Sequence, residues 1–332
     1  MDENKQAILL LSSFFRKAKE EDFNPLTPTE YGRFAAWLHE HDFQPSDLFH
    51  RFDELAQDWE DPKAKITLKR LKYLLGRGLA MGIALEKWHN AGIWFVTRSE
   101  AEYPQRLKQH LGQQAPAVLF GVGNKQLLNA GGLSVVGSRN IDNADRQDTE
   151  TVGKQAALEG LNLVSGGARG VDETAMLAAM SVEGTALGIL ANDLLKAAIA
   201  GKWRKFLKSG QLALISSYYP EAGFNAGNAM GRNKYIYGLS DYALVIRSDE
   251  GTGGTWSGSK EVLRKGWVPL FVKSPSLADG NKALEDLGAN PITIPKGASR
   301  DDEWLRSELL SPTILHVAEA PLKRNLEQGS LF

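Results

Sequence analysis

The sequence predicts an α/β chain: an open parallel sheet with helices on both faces, preceded by a small helical domain. Three observations carry this. From residue 131 to about 295, short apolar β-branched runs alternate with helix-length segments, the pattern of repeated βα units. Three of those runs end in glycine-rich turns: Gly137-Ser138-Arg139, Ser165-Gly166-Gly167-Ala168-Arg169-Gly170 and Gly251-Thr252-Gly253-Gly254-Thr255. In an open parallel sheet such turns gather at the carboxyl ends of the strands, where ligands bind. Residues 1–90 instead repeat apolar positions at helical spacing.

The elements follow in order. Thr27-Pro28-Thr29-Glu30 reads as a capping box with proline at the first helical position. Tyr31, Phe34, Ala35 and Leu38 then share one face. Leu68, Leu71, Leu75 and Leu79 predict a second amphipathic helix, with Lys69, Arg70, Lys72 and Arg77 on its other face. That basic face reads as solvated surface, with a nucleic-acid contact as the other reading. Ile93-Trp94-Phe95-Val96 and Val118-Leu119-Phe120 read as strands flanking Tyr103-Pro104, a joint over 91–130. In the α/β region the expected strands are 133–137, 161–165, 185–190, 212–216, 242–246, 268–272 and 292–294. The expected helices include 144–159, 172–182 and 257–265. These readings divide the chain into a helical domain (1–90), the joint (91–130), the α/β domain (131–296) and a short tail (297–332).

Composition limits the chemistry. The formal net charge is −1, so any nucleic-acid binding needs a local basic patch. There is no cysteine, which removes disulfides, thiolate nucleophiles and Cys-zinc sites. No stretch approaches membrane-spanning length and the start lacks a basic secretory head, so a cytoplasmic protein without membrane attachment is expected. Histidine is absent between residues 111 and 315, which removes a His base or metal ligand near the glycine turns. No catalytic residue, metal or cofactor is expected.

The turns instead build an anion cradle, because glycines let backbone N–H groups approach a phosphate and helix N-termini add partial positive charge. The candidate contacts are Gly137, Ser138 and Arg139 on the first turn, and Ser165, Gly166, Gly167 and Arg169 on the second. Gly253, Gly254 and Thr255 supply the third. Asp172 reads as an N-cap of the helix that follows the second turn. Trp256 reads equally as a base-stacking ring or a core residue. Arg232, Asn233 and Lys234, beside Tyr235 and Tyr237, pair cations with aromatics as single-stranded nucleic acid requires. With Ile236 and Leu239 inward, Arg232 and Lys234 are expected to point elsewhere. Lys202 to Lys208 interleaves cations and rings too, and reads first as a solvated helix face and second as a DNA contact.

The order and spacing of three motifs resemble the DprA/Smf family of DNA-processing proteins: Gly137-Ser138-Arg139, Ser165 to Asp172, and Arg232 to Ser240. Tyr103-Pro104, Arg106-Leu107, Leu119-Phe120 and Gly123-Asn124 fit the approach to that family's core, and the match runs from about 92 to 272. The resemblance implies an extended Rossmann-like domain that binds single-stranded DNA without ATP, in recombination, DNA uptake or defence against foreign DNA. It also implies a homodimer that helps load the RecA recombinase, and a DNA pocket at Arg139, Ser165, Gly166, Arg232 and Lys234. The chain departs from the pattern in places. Asn228-Ala229-Met230 stands where the family has Asn-Phe-Pro, leaving Phe224 as the substitute ring, and Arg247 stands where an acidic residue is usual.

Two other readings stay open. One is a nucleotide-binding sensor module that signals through the helical domain. The other is a nucleoside-monophosphate phosphoribohydrolase of the same broad superfamily, whose Pro-Gly-Gly-x-Gly-Thr-x-x-Glu motif Gly251 to Thr255 partly resembles. Gly258 stands where that motif's glutamate would be, and Asp249, Glu250 and Glu261 are the local replacements. No base release from AMP, GMP, CMP or UMP is therefore expected.

Overall fold

The computed structural model describes residues 1–311; the rest of the segment read as a short tail, 312–332, lies outside them. Six helices come first: α1 Glu3–Ser12, α2 Pro28–Glu40, α3 Asp47–His50, α4 Phe52–Asp58, α5 Leu68–Leu75 and α6 Gly78–Asn90. The capping box forms as read, with Thr27 Oγ1 accepting from Glu30 N and Glu30 accepting from Thr27 N. The leucine stripe is broken. Gly76 ends α5 and α6 starts anew, so Leu71 and Leu74 are buried while Leu79 is 81% exposed.

The basic face of α5 is only partly solvated. Arg70 donates to both carboxylate oxygens of Glu30. Arg77 is buried against Glu21 at 3.2 Å and the carbonyl of Ser13 at 3.0 Å. Two of the four cations read as a surface patch are therefore structural.

Among the described residues, nine strands form one sheet: β1 Trp94–Thr97, β2 Val118–Gly123, β3 Leu133–Val136, β4 Leu163–Ser165, β5 Ala186–Ile189, β6 Leu212–Ser216, β7 Tyr242–Val245, β8 Leu270–Lys273 and β9 Asn290–Ile292. Their order is β1-β2-β6-β5-β4-β3-β7-β8-β9. From β6 to β9 every pairing is parallel, as the βα alternation predicts. The joint does more than connect. Its strands β1 and β2 extend the sheet antiparallel beyond β6. Trp88 of α6 meets Phe120 of β2 edge-on at 5.1 Å and Phe15 at 6.3 Å, so the helical bundle and the sheet share one core.

The remaining helices are α7 Gln105–Leu111, α8 Asn143–Leu158, α9 Val171–Ser181, α10 Leu194–Ile199, α11 Gly201–Lys208, α12 Ala226–Gly238, α13 Gly253–Lys265, α14 Asp279–Asp286 and α15 Trp304–Leu310. The last lies in the segment read as a tail. Leu305 and Leu309 are buried, and Glu159 of α8 accepts from Leu305 N at 3.0 Å. Strand order reverses between β3 and β7, because β3 leads by way of β4 and β5 to β6 on one side while β7, β8 and β9 run to the other. Such a switch point opens a crevice outside the carboxyl ends of the strands. Among the described residues, no helix is long and apolar enough to cross a membrane.

Candidate nucleic-acid interface

The crevice at the switch point is a groove of about 380 Å³, floored by the turn after β3, the start of α12 and the start of α13. A second cavity continues it over β4 and β5, lined by Gly166, Gly167, Arg169, Lys196 and Lys202. The three glycine turns that the sequence places at one sheet edge do meet here. Gly137, Ser138, Arg139, Gly253, Gly254 and Thr255 line the first cavity, and Arg232 lines both.

Arg232 is the centre of the site. Its place on α12 puts Tyr235, Ile236 and Leu239 at i+3, i+4 and i+7, so it points inward with them and is 5% exposed. This corrects the expectation that it faces away from the core. Its guanidinium packs against Gly166, where any Cβ would overlap it and force it to move. Nε and Nη1 of Arg232 are buried with no hydrogen-bond partner among the protein atoms. Burial presses the guanidinium's pKa down and the Asp172 carboxylate opposes this. An arginine stays charged regardless. A buried cation with unused donors, aimed into a cavity, is set up to receive an anion's oxygens.

Asp172 is not the N-cap. Gly170, at φ 93°, caps α9 without a side chain, and a Cβ there would strike Ser138 O. Asp172 Oδ2 instead accepts from Gly166 N at 3.2 Å, which holds the second turn against α9. Burial pushes its pKa up to about 6 from the ordinary 3.8; Arg232, the Ala168 and Gly166 amides and Arg139 act in the opposite sense. A raised carboxylate pKa contributes stability that is fully present below pH 3.8 and is lost as pH rises through 6. Asp172→Asn is expected to remove a loss of about 3 kcal/mol across that window. Urea unfolding at pH 4 and pH 7.5 checks this (assay conditions of about these values bracket the titration). Identical pH dependence in both proteins would contradict it.

The other candidates divide by role. Arg139 is exposed and stands over the Phe224 ring at 5.7 Å, and Phe224 itself is 63% exposed in the groove. Met230, 56% exposed, lines the same wall. The signal that would have marked Met230 is its place two residues before Arg232 in the same basic segment. The Ser138 amide is not free: it donates to Arg247 O at 3.0 Å, and Ser138 Oγ accepts from Asn140 N. Ser165 is fully buried, with Oγ donating to Val135 O at 2.6 Å, so it braces the sheet below the cradle. Asn233 Nδ2 donates to Gly254 O at 2.9 Å and ties α12 to α13. Thr252 gives α13 no side-chain cap, which leaves the first-turn amides around Gly253, Gly254 and Thr255 to the groove.

Lys234 lies outside the groove, which corrects its placement beside Arg139. Two residues on from Arg232, it turns to the opposite flank of α12, with Nζ 3.5 Å from Gln114 Oε1. Burial lowers its pKa and Glu261 opposes this. Trp256 is buried at 9% exposure and belongs to the core. Trp203 is likewise buried, while Lys202 reaches the second cavity and pairs with Glu173 at 2.9 Å. Among the described residues, no cluster of carboxylates or histidines could hold a metal ion.

Residues 94–297 match the family model of DNA recombination-mediator protein A, over more than half of the chain. The chain belongs to this family. The DNA processing protein DprA of Bacillus subtilis is 29% identical over 180 residues, which cover 51% of this chain and 57% of that relative. The chain thus spans little more than half the length of the curated relative it matches. Two solved structures share the recombination-mediator fold. DprA of Streptococcus pneumoniae superposes with a TM-score of 0.55 at 21% identity, covering 81% of this chain and 95% of that one. DprA of Helicobacter pylori, whose structure describes its single-stranded DNA binding mode, gives 0.51 at 24% identity over 61% of this chain and 92% of that one.

Proposed function

We infer that the groove binds the backbone of single-stranded DNA and that the protein acts in DNA processing and recombination. The observation that carries this is Arg232: a buried guanidinium with two unpartnered nitrogens facing a cavity that Arg139 and the uncapped start of α13 complete. Such a set reads phosphate and not base edges, so sequence preference is slight. Phe224 and Met230, exposed beside Arg139, offer apolar faces for unstacked bases. RecA loading and homodimerisation belong to this proposal on family membership alone.

The groove is read as a binding site and not a catalytic one. Glu261, a candidate replacement for the hydrolase glutamate, lines a separate cavity with Lys260 and Arg264. Of the carboxylates that line the groove among the described residues, Asp249 and Asp172, the second is engaged by the Gly166 amide.

The two cations of the sequence reading separate in the test. Arg139→Ala is expected to weaken single-stranded DNA binding about tenfold to a hundredfold, the loss of charge-assisted contacts. Lys234→Ala leaves it within about twofold. Equal losses in the two variants, read by fluorescence anisotropy, would move the site toward the Lys234 flank.

A further inference from the structure

Beyond Gly170 the groove opens into a bay on the α8 side of the sheet rim. Among the described residues, four arginines line it, Arg139, Arg146, Arg169 and Arg247, against one carboxylate, Asp142. Among the described residues, Arg139 alone lines the groove, its continuation over β5 and this bay, so the three cavities meet at its side chain. The cations of the bay differ in how far they are already neutralised. Arg247 is held by Asp145 at 2.8 Å and Asp142 at 3.4 Å. Asp145 is shared in turn with Lys273 at 2.9 Å, and Asp148 holds Lys273 at 2.6 Å, so Arg247 is the most fully neutralised cation of the bay. Arg169 donates to the neutral Asn140 side chain at 3.0 Å. Arg146 is exposed on the first turn of α8 and, among the described residues, has no partner.

A single nucleotide needs one phosphate site, and Arg232 with the α13 start already forms it. A second cluster of guanidiniums, continuous with the first through Arg139, has no use for a mononucleotide. It suits a chain whose next phosphates follow along the rim. We propose that the bay of Arg146, Arg169 and Arg247 is a separate phosphate subsite that receives the continuation of a polynucleotide strand leaving the groove. The inference rests on the single-strand reading above and specifies that the ligand is a polymer whose affinity grows with length.

The experiment compares oligothymidylates of about four and about twenty residues, which bracket the site size of one single-strand binding fold. The variants are Arg146→Ala, Arg146→Glu and Arg146→Lys, because Arg146 lines the bay but neither of the other two cavities and is exposed, so folding is not at risk. For the long oligomer, Arg146→Ala is expected to lose about fivefold to tenfold in affinity, Arg146→Glu more, and Arg146→Lys little. The salt slope of the alanine variant falls by about 0.7, one neutralised phosphate. For the short oligomer all three variants match the parent. An unchanged long-oligomer affinity and slope would overturn the subsite, and so would equal losses with both lengths, which would merge the bay with the groove. If the parent protein binds neither oligomer, the single-strand reading itself fails, and the subsite with it.

Discussion

Arg232→Ala is expected to weaken single-stranded DNA binding by about a hundredfold or more, because it removes a desolvated charge that meets the ligand directly. The guanidinium is already buried, so the ligand does not have to strip it of water to use it. The fold should survive, since Tyr235, Ile236 and Leu239 keep the inner face of α12 in the core. Asp172 then sits buried without its nearest cation, and its pKa rises further. It is therefore protonated over more of the neutral range in the variant. Anisotropy with a labelled oligothymidylate, beside a thermal melt, separates the two effects. Binding within about twofold of the parent, with the fold intact, would remove Arg232 from the site.

Gly166→Ala should act through the same guanidinium. Gly166 does not sit at positive φ, so alanine fits its backbone, and the added methyl instead overlaps Arg232 Nη1 and presses on Asp172 Oδ2. The side chain that can move is Arg232, and it leaves the cavity floor. The expected result is an affinity loss of about tenfold or more. The accompanying stability cost is about 1–3 kcal/mol for overpacking a filled position. The double variant Gly166→Ala/Arg232→Ala should bind no worse than Arg232→Ala alone, since both changes remove one contact. Additive losses would mean that the glycine serves the ligand by its own amide and not by making room for the arginine.

Much of the fold is legible because local pattern and tertiary fold agree. The expected core strands fall within a few residues of β3 to β9, and all three glycine turns lie where parallel topology sends them. What escaped depends on distance or on phase. The pairing of β2 with β6 joins residues far apart in sequence, so 91–130 reads as a joint although it completes the sheet. The single stripe Leu68 to Leu79 breaks where Gly76 and Gly78 weaken it: the helix ends and restarts there, which turns Leu79 outward.

The site shows the same division. Arg232 and Lys234 read as a pair because both are cations in one motif, yet a helical period of 3.6 separates them onto opposite flanks. The spacing Arg232, Tyr235, Ile236, Leu239 already carried the inward direction. Asp172 read as a cap because it opens a helix. Its bond to Gly166 N needs the turn to fold back on α9, which a linear motif does not display. The link from Arg247 to Asp145 joins β7's end to α8 and is likewise invisible along the chain.

The most direct test is a competition between single-stranded and duplex DNA of the same length for the intact protein, repeated across a salt series. A cradle of amides and guanidiniums that accepts a flexible backbone predicts tighter binding to the single strand, weak sequence preference, and a log–log salt slope of about −0.7 per neutralised phosphate. Tighter binding to the duplex, or single-strand affinity that does not change with salt, would contradict it.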